Sequence, residues 1–320
     1  MKRTTGYLAA GALILGGGGC TVDGGIQNHG HLRVVVTEIC DVAMASCNPP
    51  PTADAPLPPN LGDVDEVWRF TAEAMDDAGN LDANFNGAAR VSMNPGAVHL
   101  VLQGGVEQGR NIRFAAGHAE GEVLLTEMFG PTRLWVEDIG YLPAEPGQTP
   151  TCSNGVDDDG DVVNDFPNDP GCAYADDMTE EPGTLLTGVS QVIAYELPTL
   201  ADVQGYSATT PYKAVAVRIK TTAPSQVVVT RVSPNGFFVS DLNEPEYGHM
   251  YAYNFNAPAG MRVCDRLTML GGTVSEFFGF TEVTFPSYDV GLWNPGGATC
   301  AIDVDCPSGD YCRLGGCQPC

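Results

Sequence analysis

Apolar and polar residues alternate in short runs along much of the chain, and turn-forming residues separate the runs. Seven runs lie between residues 31 and 138: HLRVVVTE, VWRFTAEA, AARVSM, AVHLVL, NIRFAA, GEVLLTEM and TRLWVED. A period of two residues is typical of strands that bury one face. Seven short strands at this spacing predict an antiparallel β-sandwich over residues 31–142.

A second group of runs predicts another β-domain over residues 183–298. Its strands are YKAVAVRIKTT, SQVVVTRVSP, GFFVSD, MYAYNF, RLTMLGGTVSEFFG and TEVTFPS. The 320 residues include 39 Gly and 24 Pro and show no helical heptads, which favours β-structure with many turns. We therefore predict a mainly β protein of two larger domains, with residues 143–150 as a linker after the sandwich.

The segment 151–182 contains ten carboxylates and no Lys or Arg. Within it, aspartates occupy every second position from Asp157 to Asp161, and Gly160 permits a tight curl. Ca²⁺ takes six to eight oxygen ligands, which a curled loop of this kind supplies. The spacing predicts a calcium site with the ligands Asp157, Asp159, Asp161, the carbonyl of Val163, Asp165, Asn168 and Asp169.

This loop differs from an EF-hand at two positions. An EF-hand has Gly at position 6 and Glu at position 12, where this chain has Val162 and Asn168. From Cys152 to Cys172 the segment resembles the Asp-rich repeats of thrombospondin type 3 and related bacterial surface modules, which implies Ca²⁺ binding. A solvated acidic linker is the alternative interpretation, because most charge runs are solvated. The alternation and the flanking cysteines favour calcium.

The N-terminus has the features of a secretory signal peptide over residues 1–20. Lys2 and Arg3 precede an apolar stretch of about ten residues, which is too short to span a bilayer. Small residues then lead to Cys20, and this pattern resembles the lipobox of bacterial lipoproteins. The resemblance implies that Cys20 is acylated and that residues 21–30 form a tether, and we expect the outer membrane as the location. The alternative is a secreted protein in which Cys20 is a spare thiol or forms a disulfide.

The chain has 11 cysteines, so one must remain unpaired. A lipid on Cys20 would leave ten, enough for five disulfides in an oxidising compartment. Local spacing indicates the pairs Cys40–Cys47 and Cys152–Cys172 and leaves the other connectivities open. The other six are Cys264, Cys300, Cys306, Cys312, Cys317 and Cys320.

The C-terminal residues 299–320 resemble the small Cys-rich knots at the ends of bacterial surface proteins. A segment this short lacks a core of its own and needs disulfides for stability. A zinc site is the competing interpretation, but no His accompanies these thiols and the expected compartment is oxidising.

Both larger domains resemble known folds. The sandwich resembles bacterial immunoglobulin-like domains, on the stretches 74–80, 85–87, 94–96 and 130–138. The second domain resembles an OB-fold barrel of secreted bacterial proteins, on the stretches 236–241, 251–253, 265–267 and 271–282. In that family a glycine commonly precedes the Asp, whereas here Cys264 precedes Asp265, which suggests a disulfide from the barrel to the tail. Residues 151–182 are expected to join the two domains.

A formal net charge of −25 argues against partners rich in phosphate. Such a surface repels nucleic acids and anionic membranes and attracts divalent cations. None of the five His lies in a metalloprotease motif, and the chain has no nucleophile elbow and no phosphate-binding loop. Glu276 and Glu282 are spaced for an acid–base pair around a sugar, but strand carboxylates without a catalytic role are far commoner. We expect no enzyme.

Two functions follow from these features. The leading hypothesis is a non-catalytic, calcium-stabilised, lipid-anchored surface protein with a structural role or a glycan or protein ligand. The alternative is a carbohydrate- or oligonucleotide-binding accessory of a secreted hydrolase system, acting through the OB-like domain. With few basic residues there, a neutral glycan suits it better than a phosphate backbone. The candidate contacts are Phe237, Phe238, Tyr251 and Tyr253, with Phe277 and Phe278 nearby, and exposure of three or more on one face would favour this alternative.

Overall fold

A computed structural model describes residues 30–42, 46–62, 64–293 and 297–320. The expected signal peptide, Cys20 and most of the tether lie outside these residues. The mainly β prediction is confirmed: the described residues form nineteen strands, one five-residue α-helix, and single 3₁₀ turns at Thr151–Ser153 and Asp303–Asp305. No helix among them is long and apolar enough to cross a membrane.

The first half of the chain forms two packed sheets. One has the strand order β2-β1-β3-β8-β5-β6, and the other has the order β10-β9-β4-β7 with β11 also paired to β9. The strands are β1 (His31–Cys40), β2 (Cys47–Asn48), β3 (Glu66–Met75), β4 (Ala88–Asn94), β5 (Ala97–Gln103), β6 (Val106–Glu107), β7 (Asn111–Arg113), β8 (His118–Thr126), β9 (Pro131–Tyr141), β10 (Gly188–Val189) and β11 (Ile193–Ala194).

Alternation along these strands builds the core between the sheets. In β1 the burial pattern alternates between exposed and buried from His31 to Val36, as the sequence pattern predicts. Trp68 and Phe70 from one sheet and Val91 and Leu134 from the other are completely or almost completely buried in the same cluster. All seven runs identified in the sequence form strands of this sandwich.

The sandwich was expected to end at residue 142, but it also includes residues that were assigned to the second domain, which was expected to begin at residue 183. The two short strands β10 and β11 pair antiparallel with β9, with Gly188 opposite Val136 and Ile193 opposite Thr132. Ile193 and Tyr195 lie in the sandwich core. The acidic segment is therefore an insertion between two strands of the sandwich, and not a joint between two domains. Two-residue strands carry no periodic pattern, so the sequence could not reveal them.

The second half forms a five-stranded barrel. Neighbouring strands follow the closed order β13-β14-β15-β17-β16, in which β15 and β17 are parallel, and β12 adds to the edge of β16. The elements are α1 (Leu200–Gln204), β12 (Ala216–Arg218), β13 (Val227–Ser233), β14 (Gly236–Asp241), β15 (His249–Tyr253), β16 (Arg266–Phe277) and β17 (Phe280–Gly291).

The barrel packs against the sandwich. Phe129, which follows β8, belongs to the barrel core and meets Tyr212 edge-on at a ring-centroid distance of 5.5 Å. The Tyr212 hydroxyl donates to the carbonyl of Asn60 at 3.2 Å. Burial raises the pKa of this tyrosine, as expected for a phenol enclosed between two domains.

All ten cysteines within the described residues form disulfides. Both local pairs expected from spacing are present, Cys40–Cys47 and Cys152–Cys172. Cys264 bonds to Cys320, so the barrel is joined covalently to the tail. Within the tail, Cys300–Cys312 and Cys306–Cys317 hold a hairpin of β18 (Asp310–Arg313) and β19 (Gly316–Pro319). The expectation of a disulfide-rich chain is confirmed.

Candidate metal centre

The acidic loop is curled by hydrogen bonds from its own backbone to its aspartates. Asp157 accepts from the Gly160 amide through Oδ1 at 2.6 Å and from the Val162 amide through Oδ2 at 3.0 Å. Asp159 accepts from the Asp161 amide at 2.9 Å, and Asp161 accepts from the Val163 amide at 2.7 Å. These bonds hold the three alternating carboxylates close together along one curl of the backbone. One oxygen of each lies within 4.8 Å of the others.

A second acidic group shares a member with the first. Asp159, Asp169 and Glu180 also bring one oxygen each within 4.8 Å of one another. Asp169 is 3% exposed and Glu180 is 2% exposed, whereas Asp159 faces solvent. The two groups overlap at Asp159 and together contain five carboxylates, two of which are buried.

Asp169 and Glu180, the two buried members of the second group, each accept a backbone hydrogen bond through one carboxylate oxygen. Asp169 Oδ1 accepts from the Gly171 amide at 2.7 Å, and Glu180 Oε2 accepts from the Asp158 amide at 2.6 Å. Asp169 Oδ2 and Glu180 Oε1 are buried and have no hydrogen-bond partner in the described structure. A buried carboxylate oxygen without a partner is costly, so these atoms identify a space whose chemistry suits a hard cation.

Glu180 is absent from the ligand set predicted from the sequence. It lies eleven residues beyond Asp169 and after the closing Cys172, outside any loop spacing. The chain returns to the loop only because the segment after the disulfide folds back along it. One signal in the sequence could have indicated Glu180 as a ligand. Residues 151–182 contain no Lys or Arg, so this carboxylate has no basic partner nearby in the sequence.

The remaining predicted ligands have other contacts. Asp165 belongs to neither acidic group, and its carboxylate accepts from the Gly155 amide at 3.0 and 3.1 Å. The Asn168 amide donates to the Asp165 carbonyl at 3.1 Å. Val163 follows the curl through its bond to Asp161. These three residues stay predicted ligands, outside the two groups of clustered carboxylates.

Val162 occupies the loop position at which an EF-hand has glycine. Its φ is +79°, and its side chain is almost fully exposed. A β-branched residue in the left-handed region is strained, at a cost of about 1–2 kcal/mol. The loop therefore makes its tight turn even with a residue that opposes it.

The inserted segment is fixed to the sandwich through Asp177. This buried carboxylate accepts from the amides of Leu142 at 2.9 Å and Thr179 at 3.2 Å through Oδ1, and from Ala173 at 3.2 Å through Oδ2. Burial raises its pKa despite these bonds. Tyr141 at the end of β9 packs on Tyr174 with ring centroids 4.7 Å apart. The base of the acidic loop is thus held in place by the protein's own contacts.

The candidate ligand contacts on the barrel separate into two faces. Phe237 is fully buried in the barrel core, so its assignment as a contact was wrong: alternation along β14 turns it inward and its neighbour outward. Phe238, Tyr251 and Tyr253 lie on the outer face, partly exposed. Two residues not singled out in the sequence, Phe255 and Phe285, are exposed and extend the same row.

The outer rings form a continuous aromatic row. Successive ring centroids lie 4.6, 6.4, 4.5 and 5.2 Å apart along Phe238, Tyr251, Tyr253, Phe255 and Phe285. Polar groups border the row: the Tyr251 hydroxyl donates to Asn235 Oδ1 at 2.8 Å, and the Arg231 guanidinium lies 5.7 Å from the Phe238 ring centre.

Two arrangements contain residue types that are common in catalytic sites. Asp65 and Thr126 flank His99 at 2.7 and 3.0 Å, but Thr126 is buried and a substrate cannot reach its hydroxyl. Glu276 and Glu282 lie on paired strands, where Ser275 is opposite Glu282 and Glu276 is opposite Thr281. The two glutamates therefore point to opposite faces of the hairpin and cannot flank one glycosidic bond.

Comparison of the chain with protein-family models, curated proteins and solved structures found no match.

Proposed function

We propose that this chain is a non-catalytic, calcium-stabilised protein that is held at a cell surface by a lipid on Cys20, or is otherwise secreted, and has a structural or ligand-binding role. The calcium part rests on one observation: two buried carboxylate oxygens, on Asp169 and Glu180, lie beside the curled aspartates without a partner. The anchor rests on the sequence around Cys20 alone.

Calcium bound there would brace the edge of the sandwich. Its oxygen ligands would come from the curl through Asp159 and from the returning chain through Glu180. Just after Glu180, the amides of Thr184 and Leu185 donate to Asp138 Oδ2 on β9 at 2.9 and 3.0 Å. An ion would therefore connect the exposed side of the loop to the segment that leads into β10, and neutralise carboxylates that otherwise repel one another.

Calcium is expected to bind saturably and to raise the melting temperature. The test uses residues 21–320, which retain every described residue, titrated after chelation and followed by calorimetry and circular dichroism. Hydrogen exchange should show slower exchange over residues 151–182 with Ca²⁺ and little change in the barrel. The variant Asp159→Ala with Asp161→Ala is the comparison. Equal calcium affinity in the variant and the wild type would exclude the loop as the site.

A second candidate function is favoured by the aromatic row: binding of a carbohydrate or oligonucleotide, as an accessory to secreted hydrolases. The strand order β13-β14-β15-β17-β16, with its one parallel pair, supports an OB-like barrel, a fold whose central strands bind oligosaccharides and oligonucleotides. This part of the argument is an analogy of fold. Aromatic rings bordered by Asn235 and the Tyr251 hydroxyl suit stacking and hydrogen bonding to a neutral sugar chain.

Tyr253→Ala is expected to weaken glycan binding by roughly tenfold, because it removes the central ring of the row. Affinity electrophoresis in gels containing neutral polysaccharides measures the effect. Trp135→Ala is the matched control, since Trp135 is an exposed aromatic residue on the sandwich. Binding of single-stranded DNA that weakens steeply with salt would support an oligonucleotide as the ligand instead. Equal losses of glycan affinity in Tyr253→Ala and Trp135→Ala would contradict a role for the aromatic row.

A further inference from the structure

The hairpin that joins β16 to β17 ends in an exposed aromatic tip, Phe277-Phe278-Gly279-Phe280. Phe277 and Phe280 pair across the two strands, and Phe278 lies at the turn. Their exposed fractions are 62% for Phe277, 95% for Phe278 and 48% for Phe280. The rings of Phe277 and Phe278 contact each other edge-on at 4.8 Å. Three phenyl groups therefore project into water at one point of the molecule.

The turn itself is poorly suited to phenylalanine. Phe278 has φ +51° and Gly279 has φ +79°. A two-residue hairpin turn with both residues at positive φ favours Asn-Gly or Asp-Gly, and a bulky residue at the first position is an outlier. Both the exposure and the backbone conformation oppose Phe278. Neither burial nor turn geometry within the described structure therefore accounts for a phenylalanine at position 278.

The tip carries no charge and has no basic neighbours in sequence. No Lys or Arg occurs between residues 267 and 312. The carboxylate of Glu276 is turned back to accept from the Thr210 amide and the Thr281 hydroxyl, each at 2.8 Å. Since the whole chain also has a net charge of −25, an uncharged surface is favoured as the partner over an anionic one.

The same end of the barrel presents two exposed tyrosines. Gln204 at the end of α1 donates to the Thr281 hydroxyl at 3.1 Å, which places the helix end beside the hairpin tip. Tyr206 follows and packs on Tyr247 with centroids 5.1 Å apart, and both are exposed. Tyrosine suits the boundary between water and lipid, because its ring is apolar and its hydroxyl is polar.

We propose that the tip Phe277–Phe280 inserts into the headgroup–acyl boundary of a zwitterionic lipid bilayer, with Tyr206 and Tyr247 at the headgroups. The exposed parts of the three phenyl side chains amount to roughly 300–500 Å². A stable dimer buries about 800 Å² on each partner, in a complementary surface. A convex tip of this size fits a fluid phase, which needs no preformed groove. The proposal does not depend on a lipid at Cys20 or on calcium.

The test is flotation of residues 21–320 with phosphatidylcholine vesicles, in the presence of Ca²⁺ and in the presence of a chelator. The wild type is expected to bind in both. Phe278→Asn should reduce the partition coefficient roughly tenfold, by loss of one buried phenyl group. The same variant should melt at an equal or higher temperature, because Asn-Gly suits the turn. Trp135→Ala is the control: it removes an exposed aromatic side chain on the sandwich and should bind vesicles like the wild type.

A second variant reports on the tip directly. Phe278→Trp should shift its fluorescence to shorter wavelength with vesicles and be quenched by lipids brominated near the headgroup. Three results would overturn the proposal: no binding of the wild type, binding only to anionic vesicles, or equal binding by Phe278→Asn. Lipid-free self-association that Phe278→Asn abolishes would assign the tip to a second copy of the chain.

Discussion

Replacing Glu180 with Gln is expected to stabilise the protein in the absence of calcium and to destabilise it in the presence of calcium. Without Ca²⁺ the variant should be more stable than the wild type by about 1–3 kcal/mol, because a buried, partnerless carboxylate oxygen is replaced by a neutral amide. With saturating Ca²⁺ the wild type should be the more stable of the two. The variant should bind calcium roughly a hundredfold more weakly, within the range that ligand charge and rigidity set in calcium sites.

The substitution is close to isosteric, which makes the sign of the effect informative. The side-chain oxygen of the introduced glutamine can still accept from the Asp158 amide, as Glu180 Oε2 does at 2.6 Å, so the local fold is retained. Chemical denaturation with and without Ca²⁺, together with calorimetric titration, measures both effects. Glu181→Gln is the matched control, because Glu181 is the exposed neighbour. Destabilisation of the Glu180 variant in the absence of calcium would show that the carboxylate has a structural partner instead.

The sequence predicted the elements whose pattern is periodic. Alternation identified seven strands of the sandwich and the main strands of the barrel, and local spacing identified Cys40–Cys47 and Cys152–Cys172. The same alternation places Phe237 and Phe238 on opposite faces of β14, although both were predicted as ligand contacts. It could not say which of the two is inside, because that depends on the closure of the barrel and not on β14 alone.

Contacts between distant segments were beyond the sequence. The return of Glu180 to the acidic curl depends on how the chain folds after Cys172, and the strands β10 and β11 exist only because β9 offers a free edge to them. Both features changed the functional interpretation. The acidic segment became an insertion held on the sandwich through Asp177, and Glu180 joined Asp169 among its buried carboxylates.

A buried ion pair holds the Cys-rich tail on the barrel. Asp265 is completely buried and accepts from the Arg262 amide at 2.8 Å, from Arg313 Nη2 at 2.7 Å and from the Tyr311 hydroxyl at 3.3 Å. Burial, then the charge of Asp265, raises the pKa of Tyr311 to about 12. The Arg262 guanidinium lies 4.9 Å from the Tyr311 ring centre and bonds Asp303. The Asp265 carboxylate is thus the centre of the contact between the barrel and the Cys-rich tail.

Asp265→Ala is expected to cost about 3–5 kcal/mol, because it leaves the largely buried Arg313 without its partner. The Cys264–Cys320 bond keeps the tail attached, so the loss should appear first as faster hydrogen exchange over residues 299–320 and then as a lower urea midpoint. Asp303→Ala breaks an exposed ion pair and should have a much smaller effect. Combining Asp265→Leu with Arg313→Met should recover most of the loss, since an apolar pair of similar volume can replace a buried ion pair. A double variant as unstable as Asp265→Ala would contradict the ion pair as the main contact. The tail would then be held on the barrel by the hydrogen bonds that Asp265 accepts from Tyr311 and from the Arg262 amide.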